Sequence, residues 1–150
     1  MDEVTSRSLL QSAYDYWNQK RGDRPMPARR DLDPVDIPRL LPFIILVDVL
    51  SCDPLDLRYR LIGTAVRDRI RIDLTHQRLQ DIPGQGAGSV VWETRARCVE
   101  TCAPVYDEQT PYVGPSEYVR RVRQVHLPLS SDGRKVDMIL TVVDFEEFRR

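Results

Sequence analysis

Three cysteines, two histidines and two groups of arginines are the side chains whose types and spacing could do chemistry. Cys98 and Cys102 stand one helical turn apart, on one face of a stretch that reads as a helix. Thiolates so placed could join a metal site or report on redox state. The chain holds no Cys-x-x-Cys, and cysteines in a helical stripe also pack simply as small buried hydrophobes. Cys52 falls in a turn and is expected to be inert. His76 lies in a polar region, either as a pH-responsive group or as a solvated loop residue. His126 sits in mid-strand with no spaced carboxylate or second histidine beside it. No Ser-His-Asp or Cys-His arrangement stands out, so no catalytic residue and no metal ligand is assigned. His126 and Asp137 are weak candidates for a base, and the chain is not expected to be an enzyme.

Arg58, Arg60, Arg67, Arg69 and Arg71 form one basic group, and Arg120, Arg121 and Arg123 another. They could meet a phosphorylated ligand or a nucleic-acid backbone. Asp53, Asp56, Asp68, Asp73 and Glu117 lie near them in sequence, so ion-paired, solvated faces are the simpler expectation. Gly84-x-Gly86-x-Gly88 precedes a helix, where backbone amides could cradle a phosphate. It lacks the later glycine of a dinucleotide fingerprint and follows Pro83, so it reads as a flexible loop.

These side chains belong to 150 residues, the size of one domain, of which 41% are hydrophobic and 30% charged. A net charge of −1 gives no global field to recruit nucleic acid or an anionic membrane. The odd cysteine count and the polar N-terminus suggest a reducing, cytoplasmic setting, and no apolar run is long enough to span a bilayer.

The elements that must position them follow from periodicity. Residues 6–20 form an amphipathic helix with Leu9, Leu10, Ala13, Tyr14 and Trp17 on its apolar side, ended by Gly22 and Pro25. Asp33 caps a short helix reaching Leu41, with Pro34 at its first position and Pro38 disturbing its middle. Residues 43–50 form a strand apolar on both faces, hence central. Residues 57–62 alternate, with Leu57, Tyr59 and Leu61 facing one way and Arg58, Arg60 and Ile62 the other. Residues 64–82 read as short helices and loops, and 89–101 as a helix stopped by Pro104. Strands are expected at 105–112, at 117–129 with a bulge between Val122 and Val125, and at 135–143 after a turn at 131–134. The result is an α+β fold with one five-stranded antiparallel sheet. Its two-sided first and last strands lie adjacent at the centre, the middle helices cover one face, and the N-terminal helix or a partner covers the other.

The order of elements resembles a PAS domain, and local residues sharpen the match. The chain is similar to a PAS-like family common in alphaproteobacteria, with a Trp-bearing helix (Trp17) and a Pro-x-Arg-x-Asp-x-Asp-Pro segment (Pro27, Arg29, Asp31, Asp33, Pro34). Leu40-Leu41-Pro42, an apolar strand and Tyr59-Arg60-Leu61-Ile62-Gly63-Thr64 follow, then Pro128-Leu129 and Asp132-Gly133 in a last hairpin. Relatives tend to carry glycines soon after the Gly-Thr pair; here that stretch, 67–76, has none.

The resemblance implies one PAS-like domain over 1–150, with an N-terminal extension and connector at 1–42 and a core at 43–150. It implies a cytoplasmic sensory or regulatory module without an output domain of its own. Such a module acts by binding a small molecule or by protein association, as a homodimer through the N-terminal helix and a sheet face. A filled dimerisation or adaptor domain is the alternative; a small enzyme or ligand carrier is a third. Tyr59, Leu61, Trp92, Tyr106, Tyr118 and Met138 are the candidate pocket lining. Trp17, Arg29, Asp31, Asp33, Arg60 and Gly63 are motif residues with structural roles, Arg60 as a pair to Asp31 or Asp33. His76 falls where such a fold could place a haem ligand, but no motif supports haem, flavin or another cofactor. Neither nucleic acid nor membrane is expected as a partner.

Overall fold

The computed structural model describes residues 2–148, with side chains from Leu9 onward. Met1, Arg149 and Arg150, the outer ends of the expected domain, lie outside the described residues. The first helix, α1, spans Asp2–Arg21. Leu10, Ala13 and Trp17 recur at helical spacing and are buried, whereas Tyr14 is 37% exposed. Lys20 and Arg21 sit at the negative end of the helix dipole, and Gly22, at φ +57°, ends the helix.

Three separate 3-10 turns follow, at Arg29–Asp31, Pro34–Asp36 and Leu41–Phe43. The expected helix from Asp33 to Leu41 is thus only one turn. Pro38 has no N–H to continue the ladder, and it holds Ile37 outside the helical region (φ −132°, ψ 48°). Asp33 does cap that turn, accepting from Val35 N at 3.0 Å. The connector is pinned on both sides. Tyr16 Oη accepts from Asp33 N at 2.9 Å and donates to Asp36 Oδ2 at 3.0 Å, and Ser130 N donates to Pro27 O at 2.9 Å.

Five strands form one antiparallel sheet: β1 Ile44–Cys52, β2 Leu55–Ile62, β3 Val105–Asp107, β4 Val119–Leu129 and β5 Met138–Glu147. Their order is β2-β1-β5-β4-β3, so the two-sided β1 and β5 are neighbours at the centre. β3 is shorter than expected because the Asp107 carboxylate accepts from Gln109 N and from the Thr110 hydroxyl, turning the chain out of the sheet. β5 starts at Met138 rather than at Lys135. The bulge expected between Val122 and Val125 is absent: pairing runs unbroken from Val122↔Phe145 to Leu129↔Met138. Both valines are buried because both faces of the sheet are covered, so apolar residues of either parity are needed.

A bulge does occur in β2. Tyr59 pairs with Val47 and Leu61 with Leu46, which leaves Arg60 as the extra residue. Beyond it the faces exchange: Ile62 joins the side of Tyr59, while Leu61 turns to the other side and is 45% exposed. The expected grouping of Leu61 with Tyr59 and Leu57 is therefore overturned by one inserted residue.

The helices sort onto the two faces. The face carrying Val47, Tyr59, His126 and Thr141 is covered by α3, Val90–Thr101; the short α2, Thr64–Ile70, packs on the Leu41–Phe43 turn, and the 3-10 turn Leu79–Asp81 lies beside β2. The face carrying Leu46, Leu127, Leu140 and Val142 is covered by α1, whose Trp17 Nε1 donates to Pro128 O at 2.8 Å.

Candidate functional site

Helix α3 begins at a polar cap. Ser89 Oγ accepts from Trp92 N at 3.2 Å, and Glu93 reaches back to accept from Gly88 N at 2.9 Å. From that start, Trp92, Arg95 and Cys98 fall three residues apart, and all three are buried against the sheet. An arginine thus occupies the centre of the helix's core-facing stripe and is only 2% exposed. Its Nη1 donates to Val91 O at 3.2 Å, and its Nη2 makes a long contact, 3.4 Å, to Thr141 Oγ1. Its Nε has no partner, and among the described residues Arg95 makes no ion pair.

A buried polar group surrounds it. Thr141 Oγ1 shares a 2.8 Å hydrogen bond with His126 Nδ1, and both residues are wholly buried. His126 Nε2 and Gln124 Oε1 lack partners, like Arg95 Nε. Tyr59 Oη donates to Gln85 Oε1 at 2.5 Å. Asp107 pairs in register with Gln124 but spends its carboxylate on its own loop.

Burial governs the protonation of this interior. It pushes the Cys98 thiol up to about 12, so Cys98 is neither a thiolate nor a nucleophile. It raises Tyr59, which stays a phenol. It drives His126 well below its ordinary value, helped by the charges of Arg95 and Arg97, so the imidazole is neutral. Burial also lowers Arg95, and Tyr59, Cys98 and Asp107 oppose it only through space. A buried guanidinium without a counter-ion bonded to it is costly.

A family model described as PAS domain matches residues 4–143, nearly the whole chain. The chain belongs to the PAS domain family. No curated protein and no solved structure matches it. The PAS match reaches back into α1, so the N-terminal extension expected at 1–42 lies largely within the matched region. PAS domains are generally sensory or regulatory, and the β2-β1-β5-β4-β3 sheet accords with the PAS fold.

The candidate lining residues divide within this PAS fold. Tyr59 and Trp92 are buried on the α3 side of the sheet. Leu61, Tyr106 and Met138 pair with Leu46, Val125 and Asp48, all on the opposite face, and so do not line that interior. Tyr118 lies just before β4 and is 44% exposed. Arg95, Thr141, Gln124 and Asp107, which do build the interior, were missed. Arg95 had one usable signal, its place in the stripe between Trp92 and Cys98.

The motif residues serve architecture. Gly63 sits where a Cβ would overlap the carbonyl oxygens of Leu41 and Pro42, and its N–H donates to Ile44 O at 2.7 Å. The Leu-Leu-Pro and Gly-Thr elements are therefore one packing unit. Asp31 accepts from Ala28 N at 2.8 Å and pairs with Arg24 at 2.9 Å, while Arg29 Nη1 donates to Leu32 O at 3.1 Å. Arg60 meets neither Asp31 nor Asp33. It lies 3.8 Å from Asp48, which also holds Arg58 at 3.0 Å, because β1 and not the connector lies beside β2. Arg120, Arg121 and Arg123 converge on Glu146 of the neighbouring β5. His76 is exposed in a loop at φ +72°. Among the described residues no three His, Cys, Asp or Glu side chains stand together as a metal set, and no helix is long and apolar enough to cross a membrane.

Proposed function

We propose that this PAS domain is a cytoplasmic sensory or regulatory module that holds a small molecule between α3 and the sheet and signals by association. One observation carries the reading. Arg95 Nε, His126 Nε2 and Gln124 Oε1, from one helix and one strand, are buried in the same interior and lack protein partners. Buried polar groups left unpaired cost about 1–3 kcal/mol each, a cost that a bound ligand removes. The chemistry favours a binder over an enzyme: Cys98 is a protonated thiol, and His126 is a buried neutral imidazole bonded to a hydroxyl. Three free cysteines suit a reducing compartment.

Native mass spectrometry of the purified protein, with its absorption spectrum, tests the reading. A co-purified molecule released on denaturation, and lost from an Arg95 variant, supports it. A protein that stays bare, and whose melting temperature no metabolite mixture raises, refutes it.

A second reading is favoured by two exposed apolar residues on the α1 side, Tyr14 on the helix and Leu61 on the sheet. They support homodimerisation through that face, as a regulatory assembly or as a plain adaptor.

A further inference from the structure

Arg95 differs from the other unpartnered groups of the interior because it carries a full charge that it cannot shed at neutral pH. Every neighbour bonded to it is neutral: the Val91 carbonyl and the Thr141 hydroxyl, the latter shared with His126. The side-on edge of its guanidinium, Nε with Nη2, holds a single long contact, and Nε itself is empty. That edge is the half of the fork that a planar carboxylate grips through two parallel hydrogen bonds.

We infer that the interior between α3 and the sheet binds a small monocarboxylic acid with an apolar body, its carboxylate held side-on by Arg95. The inference rests on the ligand-binding reading above and adds the ligand's chemical class. Geometry selects the carboxylate: two coplanar oxygens match the two parallel N–H groups of that edge. The buried Asp107 on the same face does not fill this role, because its oxygens are engaged by Gln109 and Thr110 and it makes no bond to Arg95. Gln124 and His126 offer further polar contacts, and the rings of Trp92 and Tyr59, buried on the same side, suit an apolar body.

The test uses the whole chain with matched probes: benzoate against benzamide, butyrate against butyramide, and inorganic phosphate, at constant ionic strength. Melting temperature and the side-chain Nε–H resonance of Arg95 are followed. We expect saturable stabilisation by at least one carboxylate, about tenfold or more tighter than its amide, with a shift of the Arg95 Nε–H signal. Arg95→Met should abolish that preference in a protein that still folds, since no ion pair is broken by removing the guanidinium. Should Arg95→Met fail to fold, Arg95 is structural and the inference falls. Arg95→Lys, which keeps the charge but loses the fork, and the wild-type resonance remain as independent readouts. An amide that binds as tightly as its acid removes the carboxylate but leaves the ligand-binding reading standing. An Arg95 signal that moves with phosphate alone, or with none of the probes, also overturns the inference; co-purified ligand by mass spectrometry judges the broader reading separately.

Discussion

Complete burial, helped by the charges of Arg95 and Arg97, holds the proton affinity of His126 far below the usual histidine value near 6.5. The unfolded chain takes up that proton below about pH 6.5, and the folded chain does not. Stability is therefore full above this value and falls as pH drops through it, by up to about 1.4 kcal/mol per pH unit. Urea denaturation of wild type and His126→Gln between pH 7 and 5 checks this: the substitution should flatten the slope. An equal slope in both would place the pH dependence elsewhere. At the exposed Asp132 the sign is the same but the window is lower. Its carboxylate accepts from Ser130 Oγ and from the N–H groups of Arg134 and Lys135, which hold it at about 2, so its contribution is present above about pH 4 and lost towards 2. At this scale the sequence was least legible. Arg95 was one arginine among many, and its place between Trp92 and Cys98 on the helix stripe was the one local sign that β4 and β5 would bury it.

At the scale of elements, two contacts join segments far apart in the chain. Trp17 is 3% exposed and bonded to the end of β4, so Trp17→Ala should destabilise the protein by about 3–5 kcal/mol. Trp17→Phe, which keeps most of the packing, should cost much less. Thermal and urea unfolding measure both, and a neutral Trp17→Ala would refute α1 as an integral cover of the sheet. Gly63→Ala should cost about 1–3 kcal/mol through overlap with the backbone of Leu41 and Pro42. The elements themselves were largely legible: α1, β1, β2, α3, β4 and β5 follow from periodicities of 3.6 and 2, and Gly22 and Asp33 act where their chemistry suggests. The misjudged ends have local causes in hindsight, Pro38 in the connector and the Asp107 turn after β3.

At the scale of the whole molecule, the sheet is enclosed between α1 and α3, and what is left exposed on the α1 side invites a partner. Tyr14→Glu should shift any dimer towards monomer, read by sedimentation velocity across a concentration series, while leaving the fold intact because Tyr14 is already 37% exposed. A wild type that stays monomeric at high concentration would end the homodimer reading. Adjacency of β1 and β5 was deducible without coordinates, because a strand apolar on both faces must lie where both faces are covered. Periodicity, caps and breakers are properties of consecutive residues, and they were enough for the order of elements and the α+β architecture, which the resemblance then tied to PAS domains. The tertiary structure alone decided which side Leu61 takes, that Arg60 meets Asp48, that Gly63 abuts Pro42, and that Arg95 is buried without an anion bonded to it. Each depends on a strand register or on a neighbour tens of residues away, and a one-residue slip in that register reverses a face.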